Sequence, residues 1–376
     1  MADDNDKKKV PRRVEQLGLG LGNDDLPLFH RQAPGTARAS VAVLGVLEVD
    51  RAAAMALSPD GARLAVGQFQ WSAVDRLRIH EVDRLTDAGL TLERETSGFT
   101  YGASRLVWHP RAQFVLAGTH RQDGAVCVWR TDAKRDGDDT AMELYRHGDN
   151  VTGLAFAKTG AQVFSTSGCY DKSIRSFVAR PTVMGGMMDW DQGAFGHHWD
   201  AELELNGLYG FEDPSVSPDG ELLAVRRTMK SGETHLDVRR PRHVYELVRS
   251  IPSRSGVSSW THDGGAVVGD DAEGFIVRWG LDGRVERLSP GGEGPVVSVA
   301  VAPDDRFVVC ARHVGQGDLD KTPHLLQWLS LESPTGRVLA EAELPATPRS
   351  LCLIEGGSTA LVALANGAIM RVHTTM

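Results

Sequence analysis

The four residues Ser58-Pro59-Asp60-Gly61 stand between two short apolar runs in ALSPDGARLAVG, and the arrangement returns at Ser217-Pro218-Asp219-Gly220 in SVSPDGELLAV. A weaker version stands at APDD, Ala302 to Asp305, and related turns stand at HPRA, AKTG, THDGG and IEGGS. Aligned at Pro59, Pro110, Lys158, Pro218, His262, Pro303 and Glu355, they mark seven units whose turns lie 41 to 60 residues apart. Self-similarity at such a period means that one supersecondary unit is built repeatedly and stacked, with loops of variable length.

Each unit has the same internal grammar. An alternating run such as SRLVWH or VVSVAVA precedes the turn, and a second apolar run such as FVLAG, FVVCA or ALVALA follows it. A third segment closes the unit, as in GAVCVW, GFIVRWG, HLLQWLS and GAIMRVH. Short β-branched and apolar runs separated by Gly, Asp and Pro are strands. Pro presets φ at the turn and Gly accepts a positive one, so the Ser-Pro-Asp-Gly motif is a hairpin connection between two inner strands. It is architecture rather than a catalytic site.

On these turns, and on third strands ending in Trp129, Trp279 and Trp328, the chain from about residue 41 to 376 resembles a WD-repeat β-propeller of a degenerate, bacterial type. The segment YRHGDNVTGLAFAKTGAQVFSTSGCYDKSIRSFV comes nearest to the family pattern. There His147 and Asp171 match the family's histidine and tight-turn aspartate, and Phe177 stands where the family has Trp, a departure that bears on its usual buried hydrogen-bond network. The resemblance implies an all-β, seven-bladed propeller. In such rings the outermost strand of the last blade comes from the start of the chain. ASVAVLGVLEV, Ala39 to Val49, precedes the first unit and has no blade of its own, while the last unit ends at its third strand. Each end supplies what the other lacks, and closure removes two exposed sheet edges.

The expected organisation is therefore a disordered or extended tail over 1–38 and a propeller over 39–376, with an insertion at 181–200. The tail begins with the charged MADDNDKKKVPRR and carries a Gly-rich GLGLGNDD, neither able to bury enough surface to order itself. Its leucines, Leu17 to Leu28, form a short apolar motif that would either dock a partner groove or rest on the propeller itself. The insertion PTVMGGMMDWDQGAFGHHWD holds Met184, Met187, Met188, Trp190, Phe195, His197, His198 and Trp199. So many large, adaptable side chains in a loop make a candidate partner-binding element, the bland alternative being a loop that packs on its own blade.

Composition narrows the function by exclusion. A net charge of −9 argues against a general grip on nucleic-acid phosphates. Cys127, Cys169, Cys310 and Cys352 are widely spaced with no metal-ligand pattern, and reduced thiols in a cytoplasmic protein are the expectation. The first residues lack the apolar core of a secretory signal, and no run approaches the ~20 apolar residues of a membrane span. Adjacent His197 and His198 point apart in an extended chain, so no metal is expected. The acidic clusters KRDGDDT and GQGDLDK do not fit a calcium loop. No nucleophile elbow, zinc-helix motif or phosphate loop is present, and GLGLG lacks the preceding strand of a dinucleotide site. No catalytic residue and no cofactor are nominated. The expectation is a non-enzymatic scaffold for protein partners, working through a propeller face, the tail or the insertion. The alternative is a small-molecule hydrolase or lactonase at the mouth of the central channel.

Overall fold

The computed structural model describes residues 40–48, 52–68, 75–82, 90–99, 102–111, 114–119, 124–131, 142–181, 188–191, 207–241, 246–289, 294–314, 323–332 and 337–375. Its strands form seven four-stranded antiparallel sheets, the blades of a β-propeller. Six blades take four strands in succession, from inner to outer. In blade 7 the chain supplies three, and the outer place is filled by Ser40–Glu48, paired with Ala368–Thr375 from Ser40 opposite Thr375 to Glu48 opposite Ala368. The ring is closed by joining the two ends of the described chain.

The repeated turn works through its side chains. Ser58 Oγ donates to Asp60 Oδ1 at 2.5 Å and accepts the amide of Arg63 at 2.9 Å, while Asp60 Oδ1 accepts the amide of Ala62. Gly61 completes the reversal at φ +70. The same bonds recur at Ser217, Asp219 and Leu222, and again with Thr261, Asp263 and Ala266. In each turn the hydroxyl bond holds the aspartate below its usual carboxylate range. In blade 6 the glycine position is Asp305, a left-handed residue with a side chain. Its carboxylate offsets that strain by accepting the amides of His262 and Asp263 from the turn of blade 5, at 2.7 and 2.9 Å.

Second strands such as Phe114–Thr119 and Phe307–His313 are buried throughout, because each blade is covered on both faces. Alternation is still present but serves two neighbours. Val163 packs against blade 2 and Phe164 against blade 4; Val308 packs against blade 5 and Val309 against blade 7. Apolar clusters fill all seven seams between blades. At roughly 25 cal/mol per Å² of buried apolar surface, these seams are the main favourable term in the fold. Indole donors cross three of them. Trp108 bonds the carbonyl of Ala56, Trp260 that of Ser215 and Trp328 that of Gly357, at 2.7, 2.9 and 3.2 Å.

The sheet topology gives the ring two faces. On the lower face lie the Ser-Pro-Asp-Gly-type turns. On the upper face the chain passes from each outer strand to the next inner strand, and second strands turn into third strands. The candidate sites are on the upper face.

Candidate functional sites

Blade 3 contains a constellation that looks catalytic on distances alone. His147 Nδ1 lies 2.6 Å from Asp171 Oδ2, and His147 Nε2 lies 2.7 Å from Ser165 Oγ. With Nδ1 protonated toward the carboxylate, Nε2 accepts from the serine, the connectivity of a Ser-His-Asp triad. The surroundings give it another role. Ser165 is 0% exposed, and its Oγ accepts from the Tyr145 hydroxyl at 2.6 Å. A nucleophile must be reachable by a substrate, and this hydroxyl is enclosed. Tyr145 belongs to the outer strand of blade 2 (Met142–Arg146), so the chain of bonds rivets blade 2 to blade 3. Phe177 has no N–H to give; Tyr145 stacks on it with ring centroids 3.6 Å apart and brings the missing donor. Burial works against ionisation of Asp171, but the hydrogen bond from His147, with the charge of Arg175 beside it, holds it well below the usual carboxylate range.

Immediately above the rivet, the turn at 168–172 is fixed by the buried Asp149. One oxygen of its carboxylate accepts from the amide of Tyr170 at 3.1 Å and from the thiol of Cys169, and the other accepts the amide of Asn150. Tyr170 itself is 82% exposed. Tyr209, 46% exposed at the start of blade 4, lies near Cys169, and that thiol pushes the tyrosine up from its ordinary value. The blades meet closely here: a Cβ on Gly210 would lie 3.1 Å from the Cα of Gly168. Two exposed tyrosines thus stand at the close junction of blades 3 and 4, one on either side of Cys169. Burial raises the Cys169 thiol, and Asp149 adds to the effect, so the cysteine between them is held as a neutral thiol.

The central channel forms a cavity of about 540 Å³, lined from all seven blades. On one wall Arg105 donates from Nε to the carbonyl of Thr152 at 2.8 Å and lies 3.5 Å from Asp213. Arg226 lies 3.4 Å from Glu212 and 3.7 Å from Asp213. Asp213 reaches this position through a left-handed φ of 47 and a break in strand register, and Pro214 fills the space that Gly153 leaves for want of a Cβ. On the opposite side of the ring, His313 Nδ1 lies 2.9 Å from His324 Nδ1, and His324 Nε2 lies 3.3 Å from Thr347 Oγ1. Burial pushes His313 down from its ordinary value, and His324 and the nearby Arg349 push in the same direction. Arg349 is exposed and lines the cavity.

Of the residues expected to bind partners, Met188 and Trp190 lie in the outer strand of blade 3, Met188–Asp191, opposite Pro181 and Ala179. Part of the expected insertion is therefore blade. Met184, Met187, Phe195, His197, His198 and Trp199 lie outside the described residues, as do the tail and both acidic clusters. The tyrosine patch and the channel charges were missed by sequence reasoning. Tyr170 had a signal, because an aromatic ring beside the aspartate of a tight turn has nowhere to point but outward. The channel residues had none, being scattered over blades 2, 4, 6 and 7. Among the described residues, no three His, Cys, Asp or Glu side chains gather to hold a metal, and no helix is long and apolar enough to cross a membrane. All four cysteines are free.

The family described as WD domain, G-beta repeat matches residues 139–177. Those residues run past the outer strand of blade 2 and into the third strand of blade 3, so the sequence repeat is offset by one strand from the blade, as ring closure requires. No curated protein matches the chain. One segment carrying the repeat and seven four-stranded blades about a channel make the chain a WD-repeat-like seven-bladed β-propeller.

Proposed function

We propose that this propeller is a non-enzymatic scaffold that holds protein partners on its upper face, in the cytosol. The observation that carries the reading is two exposed tyrosines at the junction of blades 3 and 4, Tyr170 on the turn that Asp149 fixes and Tyr209 at the start of blade 4. Tyrosine brings a large contact area and a polar tip at a small entropic cost, which is why it anchors so many interfaces. A closed ring adds rigidity, so little ordering is needed on binding. Four free thiols fit a reducing compartment, and the net charge of −9 disfavours nucleic acid as the partner. The hydrolase alternative asks for an available carboxylate at the channel mouth. Asp213 stands between the guanidiniums of Arg105 and Arg226, which occupy both of its carboxylate oxygens.

The test is capture of partners from the native cell with the wild type and with a Tyr170→Ala/Tyr209→Ala variant. Loss of the captured proteins with a melting temperature within about 2 °C of wild type is the expected outcome, since exposed side chains contribute little to folding. Undiminished capture by the variant overturns the choice of face. The outer strand of blade 3 carries Met188 and Trp190, and Trp190→Ala measured in the same assay shows whether that strand shares the load.

A further inference from the structure

The channel mouth contains more positive charge than its own structure uses. Three guanidiniums reach it, those of Arg105, Arg226 and Arg349, in a protein whose net charge is −9. Two are committed: Arg105 and Arg226 share the carboxylates of Asp213 and Glu212. Each of the two guanidiniums has a carboxylate partner, Asp213 for Arg105 and Glu212 for Arg226, with burial pushing Glu212 up from its ordinary value. Arg349 makes no hydrogen bond or ion pair with any described residue, yet it lines the cavity from the inner strand of blade 7, Pro348–Ile354. Its neighbour His313 adds no permanent charge, because burial and Arg349 itself favour the neutral ring. The two Nδ1 atoms of His313 and His324, 2.9 Å apart, share one proton, so both rings cannot be charged through that contact. What remains is one uncompensated positive charge in a confined space.

We propose that the upper mouth of the channel binds a small organic monocarboxylate, with Arg349 gripping the carboxylate and His313 beside it as a hydrogen-bonding partner. A single net charge is matched by a monoanion, whereas a dianionic phosphate would leave negative charge unpaired between the walls. The planar fork of arginine suits a planar carboxylate. Leu106 and Leu154 line the same cavity and give the rest of such a molecule an apolar bed. The volume of about 540 Å³ falls within the range of small-ligand sites. The left-handed φ of Asp213 has a purpose in this arrangement. It brings a carboxylate between Arg105 and Arg226, neutralising them and leaving Arg349 as the sole attractant.

The experiment is isothermal titration of the full chain at low salt with benzoate and hexanoate, with inorganic phosphate and hexanol as comparisons, for wild type, Arg349→Gln and Arg349→Lys. Saturable binding of a carboxylate is expected, weakened about ten-fold or more by Arg349→Gln and partly retained by Arg349→Lys, as for loss of one charge-assisted bond. Neither substitution should move the melting temperature, because the side chain is exposed and holds nothing in the fold. The Tyr170→Ala/Tyr209→Ala variant should bind the carboxylate like wild type, so failure of the docking face and failure of this site are told apart. Three results overturn the proposal: no saturable carboxylate binding by wild type, equal binding by wild type and Arg349→Gln, or phosphate or hexanol binding as tightly as the carboxylates.

Discussion

The seam between blades 2 and 3 and the seam between blades 6 and 7 are both packed with apolar side chains but differ in the polar contacts laid over that packing. The first is tied by the chain Tyr145–Ser165–His147–Asp171, with each link at 2.6 or 2.7 Å. The second is a slab of buried Phe307, Val309, Leu326, Trp328, Leu351, Val362 and Met370, across which the Trp328 indole donates to the carbonyl of Gly357. Apolar burial is non-directional, so many residue combinations fill such a slab equally well. A hydrogen-bond chain needs particular atoms at particular separations. That is why the family signature is legible in the segment that feeds blade 3, while the fold repeats in every blade.

Trp328→Ala is the harshest blow to the apolar seam. It should cost about 3–5 kcal/mol, the range for deleting a large buried aromatic, and show as a lower urea midpoint. A loss below about 1 kcal/mol would mean that blades 6 and 7 are held elsewhere.

His80 sharpens the contrast from the other side. Like His147 it is buried, but neither of its ring nitrogens has a partner among the described residues, and burial, with Arg78 adding to it, pushes it down to about 4. Between pH 6.5 and about 4 the unfolded chain therefore takes up a proton that the folded ring refuses. Stability falls as pH drops through that window, by up to about 3 kcal/mol, and the contribution levels off below it. His80→Leu should flatten the slope of stability against pH from 6.5 to 4; an unchanged slope assigns the acid sensitivity to other groups. Asp171 acts at lower pH and with a different pattern. Its depressed carboxyl contributes stability above the unfolded carboxylate range, and that contribution is lost as acid protonates the folded group.

The smallest effect belongs to Tyr145→Phe, which keeps the stack on Phe177 and removes one donor from Ser165. About 1 kcal/mol is expected by chemical denaturation. A loss as large as that of Trp328→Ala would show that the polar chain, rather than the apolar clusters, dominates the seams.

Much of the fold was legible because its signals are local. The hydroxyl and carboxylate of Ser58 and Asp60 act within five residues, and so do those of Ser217 and Asp219. Ring closure was legible by counting: one strand too many at the beginning and one too few at the end, which the pairing of Ser40–Glu48 with Ala368–Thr375 bears out. The replacement of the family's Trp by Phe177 was visible, but its remedy was not. Tyr145 lies 32 residues earlier on another blade, and nothing in the linear order joins the two.

The sequence by itself thus determined the repeating unit, the number of blades and the way the ring shuts, because turn chemistry and strand patterning act over a few residues. Only the tertiary structure decided which side chains meet in the channel. Arg105, Asp213, Arg226, His313 and Arg349 come from blades far apart in the chain and converge because the inner strands encircle one axis. Whether a charge there is paired or left over depends on distances across that axis, and a linear pattern does not encode them.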